Sequence, residues 1–224
     1  MADDDGEGLI EGVKRKLIET KQRWAGEGRL LTGETSQPGA QRLPPGQREV
    51  KNWPVLDLGA KPDVRLDRWH LRIDGLIESP LVWDWPQFLA QPQSEDVSDM
   101  HCVTAWSRYD NKWQGVSAKH LLSLVKPLPA ARFVVFHAYD GYTTNLPLAD
   151  FDDDDVFLVH HWEGRPLTRE HGGPVRALVP KLYLWKSAKW ISRIEFIAED
   201  RPGFWEMRGY HNHGDPWTEQ RYGD

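Results

Sequence analysis

The chain has 224 residues, 39% hydrophobic and 28% charged, which suffices for an ordinary core and excludes a disordered chain. Its net charge of −6 argues against a broad nucleic-acid surface, and no apolar run is long enough to span a bilayer. A single cysteine excludes an internal disulfide, while 12 tryptophans are many for one domain of this size.

The N-terminal MADDDGEG is acidic and lacks the basic flank and apolar stretch of a secretory signal, so a cytoplasmic protein is expected. Leu9, Ile10, Val13, Leu17, Ile18 and Trp24 then recur at helical spacing until Gly26 and Gly28. Lys14, Arg15, Lys16, Lys21 and Arg23 make that helix basic. A solvated face on a helix packed against the domain accounts for this, and a membrane surface or a partner is the alternative. Residues 32–48 are rich in Gly, Pro and polar side chains and read as an extended linker. The expected division is therefore helix and linker over 1–48, and one domain over 49–224.

Within the domain, Trp69, Leu71 and Ile73 alternate with polar residues, and Asp74-Gly75 turns the chain. Asp84 before Pro86 predicts a short capped helix, and Val97 to Val103 a strand that runs up to the cysteine and into a loop. Ser117 caps a helix carrying Leu121, Leu122 and Val125, which Pro127 ends. Phe133 to Phe136 reads as a buried strand, and Asp140-Gly141 as a hairpin turn into Tyr142–Leu146. Val156–Val159, Val175–Val179 and Ile191–Ile197 supply further strands. The helices are too few and too short for regular βαβ winding, so the fold class is α+β with mixed sheets.

Two constellations carry chemistry. Cys102 lies in MHCVTAWSRYD, among His101, Trp106, Arg108 and Tyr109. A lone thiol is commonly a small buried hydrophobe. A partly open, cationic setting instead lowers its pKa, as a nucleophile or ligand of a soft or redox metal needs. The second is HGGPVRALVPKLYLWKSAKW, where Arg176, Lys181, Lys186 and Lys189 concentrate positive charge beside Gly172-Gly173 and Ser187. Exposed amides and cations at short spacing suit a phosphate. A strand pair with solvated lysines is the competing reading, and Trp185 and Trp190 among the lysines favour a lined groove. His160-His161 and the tail residues His211, His213 and Asp215 fit no common zinc template, and Asp152–Asp155 lacks the spacing of a calcium loop.

Taken in order, these segments resemble the sulfite-oxidase-type molybdopterin-binding oxidoreductases over residues 50 to 197. VKNWPVLD is similar to the family's entrance motif, LRIDGLIESPLVW and CVTAWS to the stretch bearing the metal-ligating cysteine, and DGYTTNLPL to the segment bearing a pocket tyrosine. GRPLTREHGGPVRALVP with WKSAKWISRIEF is similar to the pterin- and phosphate-binding run. The resemblance implies a molybdenum–molybdopterin cofactor with Cys102 as the molybdenum ligand. It implies further that Asn52, Trp53, His171, Arg176, Lys186, Ser187 and Lys189 hold the pterin and its phosphate, and that Tyr142 belongs to the substrate pocket. The activity implied is two-electron oxygen-atom transfer, with electrons exchanged through an external partner.

Lys51 and Trp53 stand where sulfite oxidases carry Arg and His, and Val-Thr-Ala-Trp-Ser follows the cysteine instead of Ala-Gly-Asn-Arg. This is closer to the bacterial branch that includes the catalytic subunit of protein-methionine-sulfoxide reductase. It points to a sulfoxide or N-oxide substrate rather than sulfite, with Lys51 and Arg108 as the charged candidates at the catalytic mouth. Sulfite oxidation, a non-catalytic cofactor-binding module, and a Trp-rich carbohydrate- or peptide-binding module are the rival readings.

Overall fold

In the computed structural model the described residues are 12, 15–16, 18–23, 42–59 and 61–223. The expected helix positions Leu9, Ile10, Val13, Leu17 and Trp24 lie outside them, as does most of the expected linker. Residues 18–23 are helical, and Ile18 is buried in the same apolar cluster as Cys102. Among the described residues no helix is long and apolar enough to cross a membrane.

Two sheets organise the fold. One runs β3(Leu81–Asp84), β2(His70–Gly75), β11(Ile191–Ile197), β6(Phe133–Ala138), β7(Thr143–Pro147). β11 is parallel to β2 and antiparallel to β6, so the sheet is mixed. Its strands form because apolar residues recur at the strand period: Leu71 and Ile73 of β2 are fully buried while His70 and Arg72 face outward. β6 buries Val134, Val135 and Phe136 together, and fully burying one such side chain contributes about 2 kcal/mol. The β6–β7 hairpin turns at Gly141, whose φ of +81° suits a residue without Cβ.

The second sheet runs β1(Arg48–Glu49), β5(Trp106–Ser117), β8(Phe157–Trp162), β10(Arg176–Leu178), with β4(Ser94–Cys102) on β5 and β9(Arg165–Pro166) on β8. β1 is parallel to β5 and the other pairs are antiparallel. The expectation of a loop after Cys102 is corrected here. Residues 103–105 make a tight turn, closed by the Ala105 amide on the Cys102 carbonyl (3.1 Å) with Ala105 at φ +66°, and β5 returns at once. The polar run Arg108-Tyr109-Asp110-Asn111-Lys112 conceals that strand because its pairing with β4 and β8, not its own apolar period, holds it.

The helices are short, and the two expected ones are capped by the residues expected. Asp84 and Gln87 form a reciprocal capping box on α1(Trp85–Leu89), and the Ser117 hydroxyl accepts from the His120 amide (3.2 Å) to start α2(Ala118–Val125). α3(Leu148–Phe151) buries Phe151 against Phe136 and Phe196. This α+β arrangement leaves a first core around the β2–β11–β6 sheet, and a second, aromatic-rich cluster around Cys102.

Candidate active site

The ends of β4 and β10, the residue 53–58 segment and the turns after Leu167 and Leu178 converge on a cavity beside the aromatic cluster. Cys102 lines it from the end of β4, opposite Trp106 across the ladder. Its Sγ lies 3.1 Å from the Thr104 hydroxyl and its carbonyl accepts from Gln47 Nε2 (3.1 Å). The thiol is buried rather than partly open, and burial raises its pKa more than Thr104 and the cations Arg221 and Lys21 lower it. The expected depressed pKa is thus corrected: among Val103, Trp106 and Trp205 burial favours the neutral thiol.

Around it stand the cationic residues. Arg176, 2% exposed, donates to the carbonyls of His171 (2.9 Å), Ser187 (2.8 Å) and Ala177 (3.3 Å). Desolvation pulls even this guanidinium down to about 9. Lys189 Nζ donates to the carbonyls of Leu56 (2.7 Å) and Glu170 (2.8 Å), and burial, then Arg176, lowers its pKa to about 7. Gly172 sits at φ +103°, and a Cβ there would come within 2.9 Å of the Lys189 Cβ, so the bare backbone lets the turn close on the lysine stem.

His171 stacks on Trp53 (4.0 Å, 27°) and shares its ring nitrogens between the Trp53 carbonyl (3.2 Å) and the Thr168 hydroxyl (3.0 Å). Burial drops its pKa to about 4, so it is neutral near pH 7. Trp53 is itself wedged edge-on against Trp113 and Trp162. Ser187 lines the cavity, although its hydroxyl accepts from the Val179 amide (2.9 Å). Tyr142 keeps its proton, because burial pushes its pKa well up, and donates to the Trp185 carbonyl (2.6 Å).

Four expected site residues stand elsewhere. Lys51 is exposed beyond the end of β1, and Asn52 beside it is exposed too; neither lines the cavity. Arg108 is drawn off by the Lys51 carbonyl (3.0 Å), Asn111 and Glu163 (3.3 Å), and its guanidinium lies 4.7 Å over the Trp162 ring. Lys186 points into the protein, where Glu206 (2.6 Å) and Asn145 (2.9 and 3.0 Å) take its ammonium. A buried lysine needs such partners, so its charge is already spent on a structural contact.

Conversely, Lys21, Trp205 and Tyr210 line the cavity although no local pattern singled them out. Aromatic density in GFWEMRGYHNHGDPW was the available signal for the last two.

The family model of the oxidoreductase molybdopterin binding domain matches residues 58–205. The chain belongs to that family. It is similar, at 44% identity over 85% of this chain and 96% of the relative, to an uncharacterized oxidoreductase of Bacillus subtilis. It is 31% identical to the protein-methionine-sulfoxide reductase catalytic subunit of Campylobacter jejuni, over 62% of this chain and 52% of that protein. A putative protein-methionine-sulfoxide reductase subunit of Azospira oryzae is 29% identical over 63% of this chain and 54% of its own length. The chain thus spans about half the length of these reductase relatives. Among solved structures, the sulfane dehydrogenase SoxCD of Paracoccus pantotrophus shares the fold with a TM-score of 0.57, at 21% identity over 62% of this chain and 40% of that one.

As a member of the molybdopterin-binding oxidoreductases, the protein is an enzyme that uses the molybdenum cofactor. Its cavity fits such a group. Among the described residues, no carboxylate lies within ion-pair distance of Arg176 or Lys189, so buried Arg176 and part-buried Lys189 face the cavity with carbonyls as their hydrogen-bond partners and the Trp53 and Trp190 rings beside them. That donor set suits an anionic phosphate, and a soft thiol stands by for a metal.

The paired histidines, the tail histidines and the acidic run are engaged in the fold. His160 and His161 share a ring contact (2.7 Å), with Gln93 on His160 (3.1 Å), while Asp152 pairs with Lys119 and Asp153 with Lys181. His211 accepts from the His213 amide (3.0 Å), and His213 pairs with Asp150 (2.8 Å). The bond to Asp150 raises the His213 pKa above its usual value. A raised folded-state pKa gives stability that is complete below the unfolded pKa of about 6.5 and lost as pH rises through the folded value. With 40% of the side chain exposed, the pair contributes only about 0.5 kcal/mol. His213→Ala is therefore expected to lower the denaturation midpoint near pH 5.5, with the gap narrowing above about pH 8. An equal gap at both pH values would remove the ion pair from the account.

Proposed function

We propose that the protein reduces a sulfoxide- or N-oxide-type substrate by two-electron oxygen-atom transfer. In this reading Cys102 is the protein ligand of molybdenum, while His171, Arg176, Ser187 and Lys189 hold the pterin and its phosphate. When bound, the cofactor supplies the two-electron redox chemistry and an open metal position. Reducing a sulfoxide consumes two electrons and two protons and yields a thioether and water, so an external electron donor completes the reaction.

The side chains prepare that step. Arg176 and Lys189 bring charge to the anionic groups without needing a carboxylate to be displaced. Trp53, fixed between Trp113, Trp162 and His171, presents a rigid face. Tyr142 clamps the Trp185 backbone, which holds a second aromatic wall in position.

The observation that carries the substrate class is the direction of Arg108. An enzyme for a small anion such as sulfite needs planar guanidinium donors around the reacting position. Here Arg108 is tied to Asn111, Glu163 and the Lys51 carbonyl, and Lys51 is exposed. Trp53, Trp106, Tyr142, Trp185, Trp205 and Tyr210 line the cavity instead, a surface suited to a neutral group with apolar flanks. Paired assays on metal-replete protein test this: sulfoxides and N-oxides with a reduced dye, and sulfite with a dye acceptor. Reductive turnover is expected to exceed sulfite oxidation by at least about tenfold, since one lost charged contact costs about 1.5–3 kcal/mol. Faster sulfite oxidation would replace this reading with a sulfite dehydrogenase.

A further inference from the structure

The stretch that matches the family begins at residue 58, yet Lys21 lines the same cavity as Cys102 and Lys189. Its helical segment is held in place by three contacts, one apolar and two hydrogen-bonded. Ile18 packs into the apolar cluster that contains Cys102, Trp205 and Tyr210. Gln22 Nε2 donates to the Arg208 carbonyl (2.7 Å), and the Tyr222 hydroxyl donates to the Gln22 carbonyl (2.9 Å). Tyr222 packs edge-on against Tyr210, which is itself part of the lining. Two segments nearly 200 residues apart in the chain, with 200 between Gln22 and Tyr222, thus grip each other beside the cavity.

Among the described residues no carboxylate lies within ion-pair distance of the Lys21 ammonium, and burial lowers its pKa more than the nearby charge of Asp57 raises it. Asp57, which also lines the cavity, is paired with Lys61 (3.6 Å). A partly buried lysine without an anion is an unfavourable arrangement unless an anion arrives. Arg176 and Lys189 face the same space; Asp57, Asp140 and Glu170 also line it, but among the described residues none of them lies within ion-pair distance of these three cations, which leaves the cations open to an anionic occupant.

We propose that Lys21 is a further binding residue for the anionic cofactor, and that the N-terminal helix, tied down by the C-terminal segment, is a clasp that retains it. The proposal rests on the cofactor and not on the substrate, so its test reads cofactor content and is independent of the direction of catalysis. Lys21→Met keeps the stem and removes the charge; Lys21→Arg keeps the charge; Glu19→Ala, exposed on the same helix, is the control. Each holoprotein is diluted, incubated and gel-filtered, and retained molybdenum and pterin are measured by elemental analysis and by fluorescence of the oxidised pterin.

Lys21→Met is expected to release cofactor roughly tenfold faster than the parent, the loss of one charge-assisted contact, with Lys21→Arg and Glu19→Ala near the parental rate. Cleavage by trypsin after Lys21 in the parent protein gives a second readout. It is expected to be several-fold faster in cofactor-free protein than in holoprotein. Release from Lys21→Met at the parental rate overturns the binding role, and equal cleavage of the two forms overturns the clasp.

Discussion

Cys102→Ser is expected to purify with most of its pterin and to lose turnover by roughly 100-fold or more. Serine is nearly isosteric with cysteine, and Thr104, 3.1 Å from the sulfur, can hydrogen-bond a hydroxyl as readily, so the β4–β5 turn should survive the change. In the proposed assignment the pterin's anionic groups fall to Arg176 and Lys189, whose bonds to the Leu56, Glu170, His171 and Ser187 carbonyls do not involve residue 102. What is lost is a soft thiolate. A serine hydroxyl gives up its proton far less readily, and a hard oxygen tunes a redox metal differently. Burial makes the Cys102 thiol reluctant to ionise, more than Thr104, Arg221 and Lys21 offset, and a bound metal would favour its thiolate. Elemental analysis, pterin fluorescence and turnover on one preparation decide it. Full turnover by the serine variant would remove Cys102 from the metal.

What could be read from the sequence was what is encoded locally. Ile191–Ile197 is found as a strand with the bounds expected, and Asp84 and Ser117 cap their helices, because alternation and capping involve neighbours in the chain. Cys102, Trp53, His171, Arg176, Ser187 and Lys189, which the ordered motifs marked, all line one cavity. Side-chain direction was not legible, since partners distant in sequence decide it. Lys186 and Lys189 are three residues apart in one run, but Glu206 captures the first and the Leu56 carbonyl orients the second. Arg108 follows Glu163 and Trp162, which come from the end of β8 and its turn. Lys21, Trp205 and Tyr210 reach the cavity from outside the motif-bearing stretch, where a basic helix and an aromatic-rich tail are signals too general to name a ligand.

Arg176→Ala should leave the protein folded and nearly free of cofactor, with Lys189→Ala a weaker version of the same defect. In cofactor-free protein two effects oppose each other. The variant deprives the His171 and Ser187 carbonyls of their donor, at about 1–3 kcal/mol for each buried group left unsatisfied. It also removes a buried charge that has no carboxylate partner, which offsets part of that loss. In the proposed assignment the loaded protein has no such offset, because there the guanidinium would meet the cofactor's anion. The rise in melting temperature on cofactor loading should therefore shrink far more than the melting temperature of the empty protein. Arg176→Lys is not a quiet change either: one ammonium cannot span the His171 and Ser187 carbonyls and still offer a planar pair of donors to a phosphate. Its cofactor content should fall between those of the parent and the alanine variant. Differential scanning calorimetry of empty and loaded forms, read beside molybdenum and pterin content, separates this account from simple destabilisation. A full cofactor complement in both Arg176→Ala and Lys189→Ala would show that the phosphate lies elsewhere.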